Sequence, residues 1–195
     1  MQRVSIEKFI GGLKAIPDAE FTCEGVYVYL GENPVEVDTI LKYFHWKPTC
    51  YTRNLIYKDD RFELMAICWE IGQVSRIHNH SEQKCWMTVP VGKLFGQNFA
   101  IDEIDASRSH CKLREADQFL ISDDQPAKVE LEEPVHQVGN LAEWNERAVS
   151  LHVYSKPYDR CLSYCRDTDT FKEVILSYDS IGGKPCYGTT TSAST

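Results

Sequence analysis

The chain of 195 residues contains no apolar run near the ~18 residues that a membrane-spanning helix needs. Its opening residues, MQRVSIEKFIGGLKAI, mix acidic and basic side chains with no continuous apolar stretch, so the expectation is a chain without a secretory signal, working in the cytoplasm. Basic charge is scarce: 21 Lys and Arg stand against 29 Asp and Glu, a formal net charge of −8. That balance argues against nucleic acid or a membrane surface as partner, since both attract clustered cations. Cysteine is plentiful, with eight residues, yet no CxxC pair occurs, and Cys161 with Cys165 has no second pair at zinc-finger distance. A structural zinc site is not expected, and without an export signal the thiols should be reduced. No internal repeat is present.

What remains is an ordinary globular composition, 43% hydrophobic and 26% charged, enough chain for one domain with one sizeable core. We expect that domain over residues 1–187, helical in 1–49 and β in 50–187, with the polar stretch GTTTSAST at 188–195 a disordered tail. Ile6, Phe9, Ile10 and Leu13 mark one face of a helix that Ser5 can cap. Val26 to Leu30 is β-branched and aromatic but lies between helix-like segments, so strand and helix stay open. Asn33-Pro34-Val35-Glu36 predicts a second helix through VDTILKYFHW, with an N-cap, a first-turn Pro and a capping-box Glu, ended by Pro48.

After Cys50 short β-rich runs follow one another: TRNLIYK, RFELMAICWE, SRIHNH, CWMTVPV, KLFGQNFAI, SHCKLRE, QFLIS, AKVELEE, VHQVGN, RAVSLHVYS and FKEVILSYDS. Strands at this spacing predict an antiparallel sandwich or barrel. Within them, His78 and His80 stand one residue apart, so in a strand both imidazoles face the same way. Two parallel imidazoles suggest a metal, whose third ligand must come from elsewhere in the chain. In Ser150-Leu151-His152-Val153-Tyr154 the period of two puts Ser, His and Tyr on one face, a row poorly suited to a dry core.

The spacing Gly72, His78, His80, Cys85, Gly92 resembles the first motif of the cupin barrels, with Cys85 where cupins usually carry Glu, and His136 to Asn140 resembles the end of the second, with Leu131 and Glu133 where Pro and Gly are usual. YTRNL (51–55), ICW (67–69), IHNH (77–80), Cys85, VHQVGN (135–140) and SLHVYS (150–155) together resemble the cysteine dioxygenases, thiol dioxygenases of the cupin superfamily. The resemblance runs from about Ser5 to Cys186. It implies a mainly β cupin, a small antiparallel barrel or jelly roll preceded by N-terminal α-helices. It also implies a non-haem Fe(2+) held by His78, His80 and His136, and oxidation of L-cysteine with O2 to cysteine sulfinic acid.

The same resemblance assigns the substrate carboxylate to Arg53, whose planar fork suits it, with Tyr51 adding a hydroxyl. It assigns Cys85 and Tyr154 to a thioether crosslink, and His152 to the substrate amine or to orienting Tyr154. Ile67 and Leu176 match apolar wall positions, and Cys161 is expected near the pocket mouth. Roles in cysteine catabolism and taurine biosynthesis follow, for a monomer with no obligate protein partner. The ordinary readings are weighed beside these: His45 and His110 as core histidines with satisfied hydrogen bonds, Trp69 and Trp86 as core. The alternatives are a dioxygenase of another small thiol, such as 3-mercaptopropionate, and a non-enzymatic metal-binding cupin.

Overall fold

A computed structural model describes residues 2–129 and 135–186. The polar tail, Leu131 and Glu133 lie outside the described residues. Helix α1 (Ile6–Ala15) starts where expected, with Ser5 accepting the Lys8 N–H, and buries Ile6, Phe9 and Leu13. The undecided segment is helical: α2 (Cys23–Glu32) is capped by Thr22, which accepts the Gly25 N–H, and Val26 and Leu30, one turn apart, are its buried positions. The Trp86 indole N–H donates to the Cys23 carbonyl at 2.7 Å and so ties the helix to the sheet. Strand-favouring side chains lose here to a cap and a buried face.

The second predicted helix does not form. Asn33 closes α2, its Nδ2 donating to the Tyr29 carbonyl at 2.9 Å, and the next residues are drawn into a bridge between Val35 and Val4. Only two 3-10 turns follow, Val37–Thr39 and Leu41–Tyr43. The physical reason lies in competing partners. Val4 holds the backbone on either side of Val35, and the Thr39 hydroxyl donates to the Glu36 carbonyl at 2.7 Å while accepting the Ile6 N–H at 3.0 Å. The β-branched Val35, Val37, Thr39 and Ile40 also disfavour a helix.

The β part is a cupin of two sheets. The first has the strand order β13 (Lys184–Pro185), β12 (Ser180–Ile181), β1 (Thr52–Lys58), β2 (Glu63–Trp69), β9 (Ala148–Ser155), β4 (Lys84–Val91), β7 (Ala127–Val129). The second runs β10 (Arg160–Cys165), β11 (Thr170–Ile175), β6 (His110–Ile121), β5 (Leu94–Asp105), β8 (His136–Gly139), β3 (Ile77–His78), and β3 pairs back onto β10 to close it. SHCKLRE and QFLIS merge into the single strand β6. RCLSYC forms β10, a strand the sequence pattern did not single out.

The helices cover the outer face of the first sheet. Phe9, Leu13, Val26 and Leu30 pack with Leu64, Ala66, Leu151 and Val153 there, while Met65, Ile67, Met87 and Tyr154 point into the barrel. With both faces covered, every residue of β2 is buried, which is why this stretch reads as an apolar run rather than an alternation. At Gly92 the chain turns with φ +69°, and a Cβ would lie 2.7 Å from the Arg147 carbonyl, so the motif's second glycine is required by close packing.

Candidate metal centre

His78 and His136 are direct cross-strand partners on β3 and β8, and His80 follows just past the end of β3. The three rings lie 4.7–5.2 Å apart between centroids, and their ligand nitrogens all fall within 4.8 Å of one another. The expected parallel display of His78 and His80 is thus achieved although the strand itself stops at His78. Leu162 and Asn79 hold the connection, the Leu162 N–H donating to Asn79 Oδ1 at 2.8 Å.

The hydrogen bonds say which atoms are free. His78 Nδ1 lies 2.8 Å from the Arg76 carbonyl and must donate to it, which leaves Nε2 as an acceptor. Both ring nitrogens of His80, and Nδ1 of His136, are buried with no partner among the described residues. Unpartnered nitrogens at one point are costly unless something binds them. Burial also keeps the rings neutral, lowering His78 to about 4 and His80 and His136 well below their ordinary value, with neighbouring positive charge adding to it. Three neutral imidazoles converging on one point fit a divalent transition metal and leave its charge uncompensated.

Beside this cluster runs the predicted polar row of β9. The Trp69 indole donates to Ser150 Oγ at 2.9 Å, Ser150 Oγ lies 2.8 Å from His152 Nε2, and His152 Nδ1 lies 3.1 Å from the Tyr154 hydroxyl. His152 therefore orients Tyr154, and Trp69, expected as core alone, is the anchor of the row. Burial first, then the Arg53 charge, lowers His152 to about 3, so it is neutral. With the imidazole proton on Nδ1, the Tyr154 oxygen accepts it and its own O–H is free to point into the barrel.

On either side of Tyr154, register brings two further groups. Cys85 of β4 is its direct partner, and Glu63 of β2 stands opposite. Cross-strand partners have Cβ atoms about 4.5–5.5 Å apart. Cys85 is wholly buried, which drives its thiol pKa up, and contact with Tyr154 opposes that shift.

Arg53 faces the same interior from β1, opposite Ile67. Its Nε and Nη2 are shut away from solvent and have no partner among the described residues. The backbone is braced instead: Asp179 Oδ2 accepts the Arg53 N–H at 2.8 Å, the Asp179 N–H donates to the Arg53 carbonyl at 2.7 Å, and Lys47 pairs with the Asp179 carboxylate. A small inner cavity is lined by Arg53, Ile67, Trp69, His78, His136 and Tyr154. Tyr51 lines it too, stacked on Trp69 at 4.6 Å. A second small cavity adjoins it through Arg53 and His78, lined also by Leu176, Cys161 and Arg76.

Of the eight site residues expected from the sequence, Tyr51, Arg53, His78, His136, His152 and Tyr154 line the inner cavity, while His80 packs against His78 and His136, and Cys85 is the cross-strand partner of Tyr154. His45 and His110 behave otherwise: each is half-buried rather than core, His45 Nε2 lying 3.2 Å from the Gly183 carbonyl and His110 Nε2 lying 3.7 Å from Glu103. One contributor was missed. Tyr158, in the loop after β9, sets its ring edge-on to Tyr154 at 5.2 Å and to His80 at 6.3 Å. Its only sequence signal was adjacency to SLHVYS, because PYD reads as a break between strands.

Residues 31–167 match the family described as Cysteine dioxygenase type I. Cysteine dioxygenase type 1 of Bos taurus is 31% identical over 149 residues, covering 76% of this chain and 70% of that one. The Homo sapiens protein of the same name is 29% identical over 160 residues, covering 76% and 78%. A solved structure from Klebsiella pneumoniae, described as having a double-stranded beta-helix domain, is 14% identical with a TM-score of 0.44, covering 72% of this chain and 88% of that one.

Proposed function

The chain belongs to the cysteine dioxygenase type I family, and from that premise we propose that it is a non-haem iron(II) enzyme oxidising L-cysteine with dioxygen to cysteine sulfinic acid. The observation that carries this reading is that Arg53, with two buried guanidinium nitrogens unpartnered among the described residues, lines the same small cavity as His78 and His136, whose cluster with His80 also leaves buried ring nitrogens unpartnered. A carboxylate-bearing thiol meets both needs at once.

His78, His80 and His136 would hold the iron, which when bound would supply the Lewis-acid and redox chemistry that lets dioxygen react with a thiolate. Arg53 binds the substrate carboxylate through two parallel N–H donors, fixing the distance from carboxylate to sulfur. Tyr51 adds a hydroxyl at the rim of that site. Neutral His152, held by Ser150 and Trp69, keeps the Tyr154 hydroxyl directed at the reacting sulfur and its oxygens. Ile67 and Leu176 keep the chamber narrow and exclude water.

Cys85 and Tyr154 would join as a thioether. The bond from Sγ to a ring carbon replaces one S–H and one C–H, and the two protons and two electrons released pass to dioxygen. The crosslink fixes the phenol that His152 already orients, and so tunes the site rather than creating it. The eight free cysteines favour a reducing compartment, for which the cytoplasm is our reading, with the enzyme acting as a single chain.

Oxygen uptake and sulfinate formation on iron(II)-reconstituted protein test the proposal. L-Cysteine should be turned over faster than 3-mercaptopropionate or cysteamine. Preference for 3-mercaptopropionate would reassign the substrate, and no turnover of any thiol would leave a metal-binding cupin without this activity.

A further inference from the structure

Arg53 is surrounded by phenols. Tyr51 and Tyr158 line one cavity with it, and Tyr51 and Tyr154 line the adjoining one. Two of the three already have a role. Tyr154 is oriented by His152, and the Tyr51 ring lies flat on Trp69 with its hydroxyl at the rim of the carboxylate site. Tyr158 has none. Its ring is clamped edge-on between Tyr154 and His80, so it has little freedom to turn away, yet its hydroxyl has no hydrogen-bond partner among the described residues. It lines the second cavity together with Arg53, Tyr51 and His78.

A phenol at neutral pH is a donor, and a clamped donor without an acceptor beside a guanidinium without an acceptor describes a site for one anion. We propose that Tyr158 is a substrate-binding residue, its hydroxyl donating to the same thiol carboxylate that Arg53 holds. The inference rests on the reading of the substrate as a carboxylate-bearing thiol. It gives the site a selection rule: thiols with a carboxylate gain two kinds of donor, a charged fork and a neutral hydroxyl, and thiols without one gain neither. A purely packing role, with Tyr158 serving only to prop the Tyr154 ring, makes the opposite prediction for removal of its oxygen.

Tyr158→Phe removes one atom and keeps both ring contacts, so the fold and the Tyr154 packing are preserved. Binding is measured anaerobically on iron(II)-loaded protein by equilibrium dialysis of L-cysteine and of cysteamine, which lacks the carboxylate. The expected result is a Kd for L-cysteine raised about 10-fold, the size of one hydrogen bond to a charged group, against less than about 2-fold for cysteamine. In turnover the loss should fall on KM rather than on kcat. Equal Kd values in wild type and variant, or equal loss for both ligands, would overturn the proposal. Should wild type bind L-cysteine tightly but oxidise no thiol, the activity fails while the shift in Kd still decides the role of Tyr158.

Discussion

The two faces of β9 are separated by the thickness of one strand and obey different rules. Val149, Leu151 and Val153 point toward the helices and pack wholly buried among Phe9, Leu13 and Leu30, where only volume and shape count. Ser150, His152 and Tyr154 point the other way, just as buried, into a space where each polar atom is hydrogen-bonded in a line that begins at Trp69. Further across that interior, polar atoms on Arg53, His80 and His136 have no partner among the described residues. The outer face holds the molecule together, and the inner face leaves bonds unmade where a metal and an anion would complete them.

His136→Ala should break that contrast most sharply. Iron bound per chain should fall from about one to near none and oxygen uptake should drop by more than about 100-fold, measured by metal analysis and oxygen electrode. The fold should persist, because losing the ring also removes an unpartnered buried nitrogen, which offsets part of the packing lost against His78 and His80. Leu151→Ala, one strand face away from the site, should do the reverse: a loss of about 2–5 kcal/mol in chemical denaturation, with KM and iron content unchanged well below the melting temperature. Activity lost at constant stability in this variant would mean that the two faces are not independent.

Asp179→Ala tests a smaller effect. It removes the acceptor that holds the Arg53 backbone and frees Lys47. KM for L-cysteine should rise several-fold while cysteamine is affected little, and Asp179→Asn, which keeps an acceptor oxygen, should recover most of the loss. The mildest test is pH. His152 is lowered to about 3 in the folded chain, against an ordinary value near 6.5, so the unfolded chain takes up a proton the folded one refuses. Its contribution to stability is therefore complete above about pH 6.5 and is lost progressively as pH falls toward 3. Denaturant melts of metal-free protein should show that decline, and His152→Gln should make it shallower, with His78, His80 and His136 supplying the rest.

Much of the inner face was legible in the sequence because strand periodicity is a strict rule. The period of two alone put Ser150, His152 and Tyr154 on one side, and the spacing of His78 and His80 survived even though β3 ends between them. Arg53 was legible only through its flanking YTRNL, since nothing local distinguishes a buried arginine from a surface one. The failures came where long-range partners override local signals. Asn33 and Pro34 carry every mark of a helix start, but Val4, about thirty residues earlier, takes their backbone into a bridge. Tyr158 and β10 follow a Pro and an Asp that read as punctuation, and only closure of the second sheet through β3 and β10 brings them to the site.

The central claim is that His78, His80 and His136 bind one iron beside a thiol held by Arg53. Iron-edge X-ray absorption on the anaerobic ferrous protein, before and after L-cysteine, tests it most directly. Three imidazole ligands in the free protein, joined by one sulfur on addition of L-cysteine and by none in Arg53→Ala at the same concentration, is the predicted result. Fewer than three imidazoles, or a spectrum indifferent to L-cysteine at saturation, would contradict it.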